Sequence, residues 1–423
     1  MNQIVKPVLQ GDAADILLAD VAIRVQLSPT NYSLAVSRAN VLSEWIDRPE
    51  SPLHGRVTLT YAQGSMAYNA TIARCLRTDE FDIDIIAQII SRLGMTAKQV
   101  LDELYEAIRG EPGSLYYKMV ERRNRCVTVH YADGMHIDIT PAMLTPERSP
   151  RTSLIFNHKP EDKSDQTGYA LWANPYGFAE WFKVRTPATE AFARAYMVRV
   201  RKWAESHEVR ADMETVPEQK PPHEKSMAVI ALQLLKRNRN VRYDGRPGRR
   251  PPSVLLAKLT ADAALPAETV LDQLIRVARY VRDTIQLAHE QGRLISVTNP
   301  TCVEDVFTDR WPASARDQEV YLSDLGHLIA RLYELQRPDC GLTEMQTILS
   351  DLFGETPTLD AVKAYVERLG GAASNGSMYQ ERRTGRIDVV RSGLAAPAIA
   401  GSSSAKSFAA PSHTNFGSDP PPE

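Results

Sequence analysis

Asp82 and Asp84 stand one residue apart in FDIDII, and Asp138 follows downstream in MHIDITP. On a strand, carboxylates at i and i+2 point to one face, ~6 to 7 Å apart. At that spacing two carboxylates can share a pair of divalent ions about 3.5 to 4 Å from one another. Ile83 and Ile85 then fall on the opposite, apolar face. His136, Asp138 and Thr140 repeat the pattern with Ile137 and Ile139, so a neighbouring strand would bring Asp138 into the same cluster. Three like charges this close repel strongly in a half-buried site. A metal relieves the repulsion, and hard oxygen ligands beside phosphates point to Mg²⁺ or Mn²⁺. Upstream, Gly64-Ser65 closes the alternating run RVTLTYAQ. Gly64 lets the backbone turn tightly, and Ser65 with amides at a helix start can bind phosphate oxygens.

Paired aspartates on a strand are most often only the wet face of an amphipathic sheet, and a Gly-Ser pair alone says less. The order distinguishes this chain: an alternating apolar run, Gly64-Ser65, a helix-compatible segment, the DID strand, then a lone Asp on a later strand.

In that order, GS, DID and the later IDI resemble the DNA polymerase β type of nucleotidyltransferase. Within that superfamily the chain is similar to the bacterial CD-NTases, cyclic-oligonucleotide synthases related to animal cyclic GMP-AMP synthase. LSPTNYSLA, ITPAML, NPYGFAEWF, ALQLLKRNRNVRY, PPSVLLAKLTA and NPTCVEDVFTDRW carry the narrower likeness, which spans roughly the first 330 residues. The resemblance implies an α+β fold, a polymerase β-like lobe with a small mixed sheet packed against an all-α second lobe. It implies two Mg²⁺ or Mn²⁺ ions on Asp82, Asp84 and Asp138, with Gly64, Ser65, Lys236 and Ser253 binding the nucleotide. Its implied substrates are ATP and another NTP, condensed with loss of pyrophosphate into a cyclic di- or trinucleotide. The implied setting is bacterial antiphage signalling of the CBASS kind. There a downstream effector detects the product, and regulatory proteins are possible partners. Two other readings stay open: a nucleotidyltransferase that modifies tRNA or protein, and an inactive nucleotide-binding module, against which the intact acidic trio argues.

Around these residues, the chain divides into elements that must position them. Residues 12–46 recur at helical spacing, with Ser28-Pro29 as N-cap and first helical residue; by resemblance, a long helix here packs along both lobes. Strands are expected near 56–63, 81–87, 125–131, 136–140 and 152–158, with a helix from 97 closed by Gly110. Beyond Lys159 the pattern turns almost wholly helical. The expected organisation is therefore 1–165 for the N-terminal helices and catalytic lobe, 166–370 for the helical lobe, and 371–423 as a disordered tail rich in Gly, Ala, Ser and Pro.

KRNRNVRYDGRPGRR reads equally as a solvated basic helix end and loop or as a nucleotide contact, with Lys236 set apart because it follows the apolar run VIALQLL. Trp181, Trp311 and Tyr176 read as core. His136 reads as a local hydrogen-bonding residue, and His130 with Cys126 makes no nucleophile pair. Cys75, Cys126, Cys302 and Cys340 are scattered, so no zinc site and no disulfide framework is expected, in keeping with the cytoplasm. The net charge of -2 excludes a chain coated by nucleic acid yet allows a local basic patch. No run of about 18 apolar residues predicts a membrane span.

Overall fold

A computed structural model describes residues 12–73, 81–92, 94–145, 148, 151–208, 225–267, 269–374, 378–380 and 387–389; side chains at 81–82, 204–208 and from 372 onward lie outside that description. It opens with α1 (Ala13–Val25) and α2 (Pro29–Ile46). Asp12 caps the first by accepting from the Ala14 amide, and Ser28 caps the second by accepting from Asn31, with Pro29 in the first turn.

The sheet follows: β1 (Val57–Ala62), the short α3 (Gly64–Ala67), β2 (Phe81–Ile89), α4 (Ala97–Arg109), β3 (Val120–Arg122), β4 (Val127–His130), β5 (Met135–Leu144), β6 (Ser153–Asn157) and β7 (Tyr169–Ala173). Among the described residues these form a seven-stranded mixed sheet ordered β1-β2-β5-β4-β3, with β6 pairing β5 and β7. β2 and β5 run parallel, and the other neighbours run antiparallel. A parallel pair needs a long crossover, and α4 lies in it. Thr96 and Gln99 form a capping box at its start. Its Val100, Leu101, Leu104 and Ile108 share one core with Ile83, Ile85, Val127, Val129, Ile137 and Ile139. β3 and β7 go beyond the sequence expectation. Both are short, and β7 begins with two exposed residues, so neither shows a full alternation.

The helical part comprises α5 (Pro175–Arg185), α6 (Glu190–Glu208), α7 (Met227–Arg242), α8 (Ser253–Ala263), α9 (Val270–Glu290), α10 (Ala315–Leu335), α11 (Leu342–Phe353) and α12 (Glu355–Ser374). A hairpin of β8 (Thr298–Asn299) and β9 (Cys302–Val306) interrupts it. α7 is buried continuously from Ala228 to Arg239, as a helix surrounded by others must be.

Among the described residues the two N-terminal helices divide between the two cores. α1 packs with α7 and α9, sending Leu17, Leu18 and Val21 into the helical core, whereas Ala35, Leu42 and Ile46 of α2 enter the sheet core. Asp15 explains its place in apolar α1: it accepts from the Val270 and Leu271 amides at 2.6 and 3.2 Å, capping α9 from outside.

The compact unit spans Met1–Gly370, and a second runs over Gly371–Glu423. In the latter, β10 (Met378–Gln380) pairs antiparallel with β11 (Ile387–Val389), a ladder absent from the tail expectation; the rest of the tail lies outside the described residues. No described helix is long and apolar enough to cross a membrane.

Candidate active site

In the parallel ladder Asp84 stands directly opposite Asp138, and Asp82 opposite His136. One strand further, Asp138 faces Thr128, whose hydroxyl donates to Asp138 Oδ1 at 2.6 Å. Opposed residues on paired strands point to the same side of a sheet, and the intervening isoleucines fill the core on the other side. Asp84 and Asp138 therefore share the polar face. The Asp82 side chain lies outside the described residues, so only its place on β2 is fixed.

Gly64 comes to this pair from β1. The Gln63 amide donates to the Asp84 carbonyl at 2.9 Å, and the chain then turns at Gly64 with φ +56. A methyl group on Gly64 would stand 2.9 Å from Asp84 Oδ2. Ser65 follows on α3, half-buried, and its carbonyl accepts from the Ala70 amide at 2.8 Å.

Like charges directly opposed on adjacent strands cost energy. Their field reaches the surroundings: the Cys126 thiol is pushed up by burial first, then by Asp138 and Asp84. Tyr68 is likewise held protonated by burial, then by Asp84. Among the described residues no group of three His, Cys, Asp or Glu is placed to hold a metal. Asp84 and Asp138 nevertheless fit a hard divalent cation, since the donors are carboxylate oxygens, repel one another, and lie on one polar face.

A cleft of about 820 Å³ opens beside Asp84. Arg125 from the β3–β4 turn, Arg239 of α7, Arg249 and Arg250 before α8, and Arg310 after β9 line it. Ser253, at the start of α8, also lines it and accepts from Arg239 Nη1 at 3.1 Å. Arg125 pairs with Asp309 across the cleft rim at 2.5 Å. Burial, then Arg125, lowers the Arg310 pKa. Among the described lining residues these arginines outnumber Asp84, Asp305 and Asp309, so the wall is net positive.

Lys236 lies behind this wall. It is 4% exposed, and its Nζ donates to the Ala70 carbonyl at 2.7 Å. Burial, then Arg239, holds its pKa down to about 7, while Asp84 acts in the opposite direction.

The basic segment is not a uniformly solvated end. Arg239 is 2% exposed and donates to the Pro251 carbonyl at 2.7 Å, and buried Arg237 donates to the Phe353 carbonyl. Arg239 sits three residues after Lys236, the spacing of helix neighbours, which is the signal that links it to the site. Arg125, Arg310 and Asp309 come from turns with no comparable pattern. Trp311 is buried and Trp181 stacks on Phe178, as core residues do. Tyr176 instead is 41% exposed, meeting Tyr61 edge-on, so the core expectation fails there. The His136 ring contacts His130 edge-on at 4.5 Å.

Residues 17–160 match the Second Messenger Oligonucleotide or Dinucleotide Synthetase domain family. The chain is 38% identical over 411 residues to the cyclic dinucleotide synthase CdnG of Bradyrhizobium diazoefficiens, covering 96% of this chain and 95% of that one. The solved structure of the Bradyrhizobium diazoefficiens CD-NTase CdnG with GTP superposes with a TM-score of 0.71 at 35% identity, over 84% of this chain and all of that one. The Escherichia coli CdnC structure with ATP shares the fold at TM-score 0.54 and 16% identity, over 80% of this chain and 97% of that one.

Proposed function

The chain belongs to the CD-NTase family of nucleotidyltransferases, and from that we propose that it condenses NTPs, GTP among them, into a cyclic di- or trinucleotide with release of pyrophosphate. The observation that supports this reading most is the Asp84–Asp138 register with Gly64 pressed against Asp84. GTP is proposed because the similar CdnG structure holds it.

In this reading Asp84 and Asp138, with Asp82 on the same strand, hold two Mg²⁺ or Mn²⁺ ions. When bound, such ions activate the attacking hydroxyl and neutralise the leaving pyrophosphate. The chain's own residues do the rest. Thr128 donates to Asp138 Oδ1 and so would hold the orientation of that carboxylate. Gly64 adds no side chain of its own between Asp84 and the turn, and the Ser65 hydroxyl and the turn's amides would meet the polyphosphate. Lys236 and the cleft arginines balance its charge, and Ser253 stays beside Arg239 as a further donor. Phosphoryl transfer asks for positioning and electrostatic stabilisation, and no protein nucleophile is needed.

Antiphage signalling through a separate effector, with regulatory protein partners, completes the proposal; it extends the family likeness and not the geometry. The test is incubation with NTPs and divalent ions, followed by mass spectrometry of small products. A phosphatase-resistant cyclic nucleotide supports the synthase, and label recovered only in tRNA or protein favours a transfer enzyme.

A further inference from the structure

A second cavity lies away from the nucleotide cleft, where the α1–α2 link, the loop after α3, α6 and the start of α7 converge. Gln26, Tyr32, Asn69, Thr71, Tyr196 and Lys225 supply its polar lining, with a volume of about 60 Å³. Among its described lining residues there is one cation and no acid. Among the described residues Lys225 Nζ donates to amide oxygens, Gln26 Oε1 and Gln233 Oε1, the latter at 3.3 Å, and lies 6.0 Å from the centre of the Tyr196 ring. An ammonium so placed has neutral dipoles where a counter-charge would be expected. Burial alone lowers the Lys225 pKa, to about 7. Pro29 in the first turn of α2 also lines the cavity, so the positive end of an 18-residue helix adds to the field.

The same lysine touches the residue that leads to the catalytic turn. Gln233 is fully buried; its Oε1 accepts from Lys225, and its Nε2 donates to the Thr71 carbonyl at 2.9 Å. The preceding Ala70 accepts from Lys236 through its carbonyl and donates its amide to the Ser65 carbonyl. Lys225, Gln233, residues 70–71 and the Gly64-Ser65 turn are thus joined by successive hydrogen bonds.

We propose that this cavity binds a small oxyanion, a carboxylate or a phosphate, on Lys225, and that Gln233 transmits its occupancy to the catalytic turn. The anion takes the place that Gln26 and Gln233 now hold on the ammonium. Gln233 is then released to adjust the Thr71 carbonyl it donates to, and with it the adjoining Ala70 carbonyl, which accepts from Lys236. A cavity this small admits the acidic head of a ligand and leaves any larger body in the opening.

The test uses the full-length chain with its cleft saturated by a nonhydrolysable GTP analogue, so that the cleft arginines do not compete. Calorimetric titration runs in two arms, one with inorganic phosphate and one with sodium benzoate. A one-site heat in the benzoate arm assigns the carboxylate of an organic acid; in the phosphate arm it assigns a phosphate. Binding is expected to weaken at least about tenfold in Lys225→Met, with the analogue's own affinity within about twofold of wild type. In Gln233→Leu, anion binding is expected to persist, while the roughly twofold or larger change the anion makes in analogue affinity disappears. Silence of both probes with the wild-type chain, or equal anion affinity in Lys225→Met, overturns the site. An unchanged effect in Gln233→Leu overturns the coupling. If Lys225→Met does not fold, Tyr32→Phe and Thr71→Val take its place, and wild-type affinity in both overturns the site. A chain that binds the analogue but makes no cyclic product would refute the synthase reading and leave these readouts intact.

Discussion

Gly64 and Asp84 are in such close approach that a Cβ on the glycine would stand 2.9 Å from the carboxylate oxygen Oδ2, and the glycine holds φ +56. Gly64→Ala therefore meets two penalties, left-handed strain of about 1–2 kcal/mol and displacement of the Asp84 carboxylate from its place beside the turn. Turnover is expected to fall at least about tenfold with a melting temperature only a few degrees lower. Wild-type turnover in a folded Gly64→Ala protein would refute the close fit.

Asp84→Asn and Asp138→Asn each remove one of two opposed negative charges. Condensation of NTPs should fall more than about a hundredfold in either, since even an outer-shell partner of a metal ligand is worth 10–100-fold. In metal-free buffer the same variants should melt at or above wild type, because the repulsion between Asp84 and Asp138 is relieved. Thermal melts with and without Mg²⁺ check both halves, and the Mg²⁺-induced rise in melting temperature should shrink in the variants.

Thr128→Val keeps the shape of a side chain that is 4% exposed and removes its donation to Asp138. Activity should drop by about 10–100-fold with the Mg²⁺ requirement shifted to higher concentration. Steady-state rates across a Mg²⁺ series measure this, and an unchanged half-saturation point would show that Thr128 does not orient the carboxylate.

Lys236 is held at about 7, below its ordinary 10.5, so between those values the folded chain has shed a proton that the unfolded chain keeps. Its contribution makes stability rise as pH climbs from about 7 to about 10.5, and its full penalty is present below pH 7. A bound polyphosphate favours the charged lysine, so nucleotide binding above pH 7 should take up a proton. Calorimetry of a GTP analogue at pH 8 in two buffers of different ionisation enthalpy should detect the uptake, and Lys236→Met should abolish it.

Much of the site was legible because its determinants are local. Alternation in FDIDII and MHIDITP fixes which side chains share a face, and a glycine at a tight turn needs no distant partner to be recognised. Arg239 was only half legible: its spacing from Lys236 was visible, but its burial depends on α8 and on the loop that carries Pro251. Arg125, Arg310 and Asp309 were not legible, because turn residues carry no period and their meeting depends on where the hairpins end. Tyr176 misled for the same reason, its helix being core-forming while its own position faces outward.

Read alone, the chain gave away the strands that carry the two acidic words, the glycine turn and the helical periodicity, since each follows from the conformational limits of neighbouring residues, whereas the short β3 and β7 did not show. What packing between distant segments decided is that β2 and β5 pair in parallel with Asp84 against Asp138, that α1 leaves α2 for the other core, and that Lys236 is buried against the Ala70 carbonyl while Lys225 reaches Gln233. Strand register and burial arise from packing between segments far apart in the chain, where the free energy of the whole core outweighs the preference of any one segment.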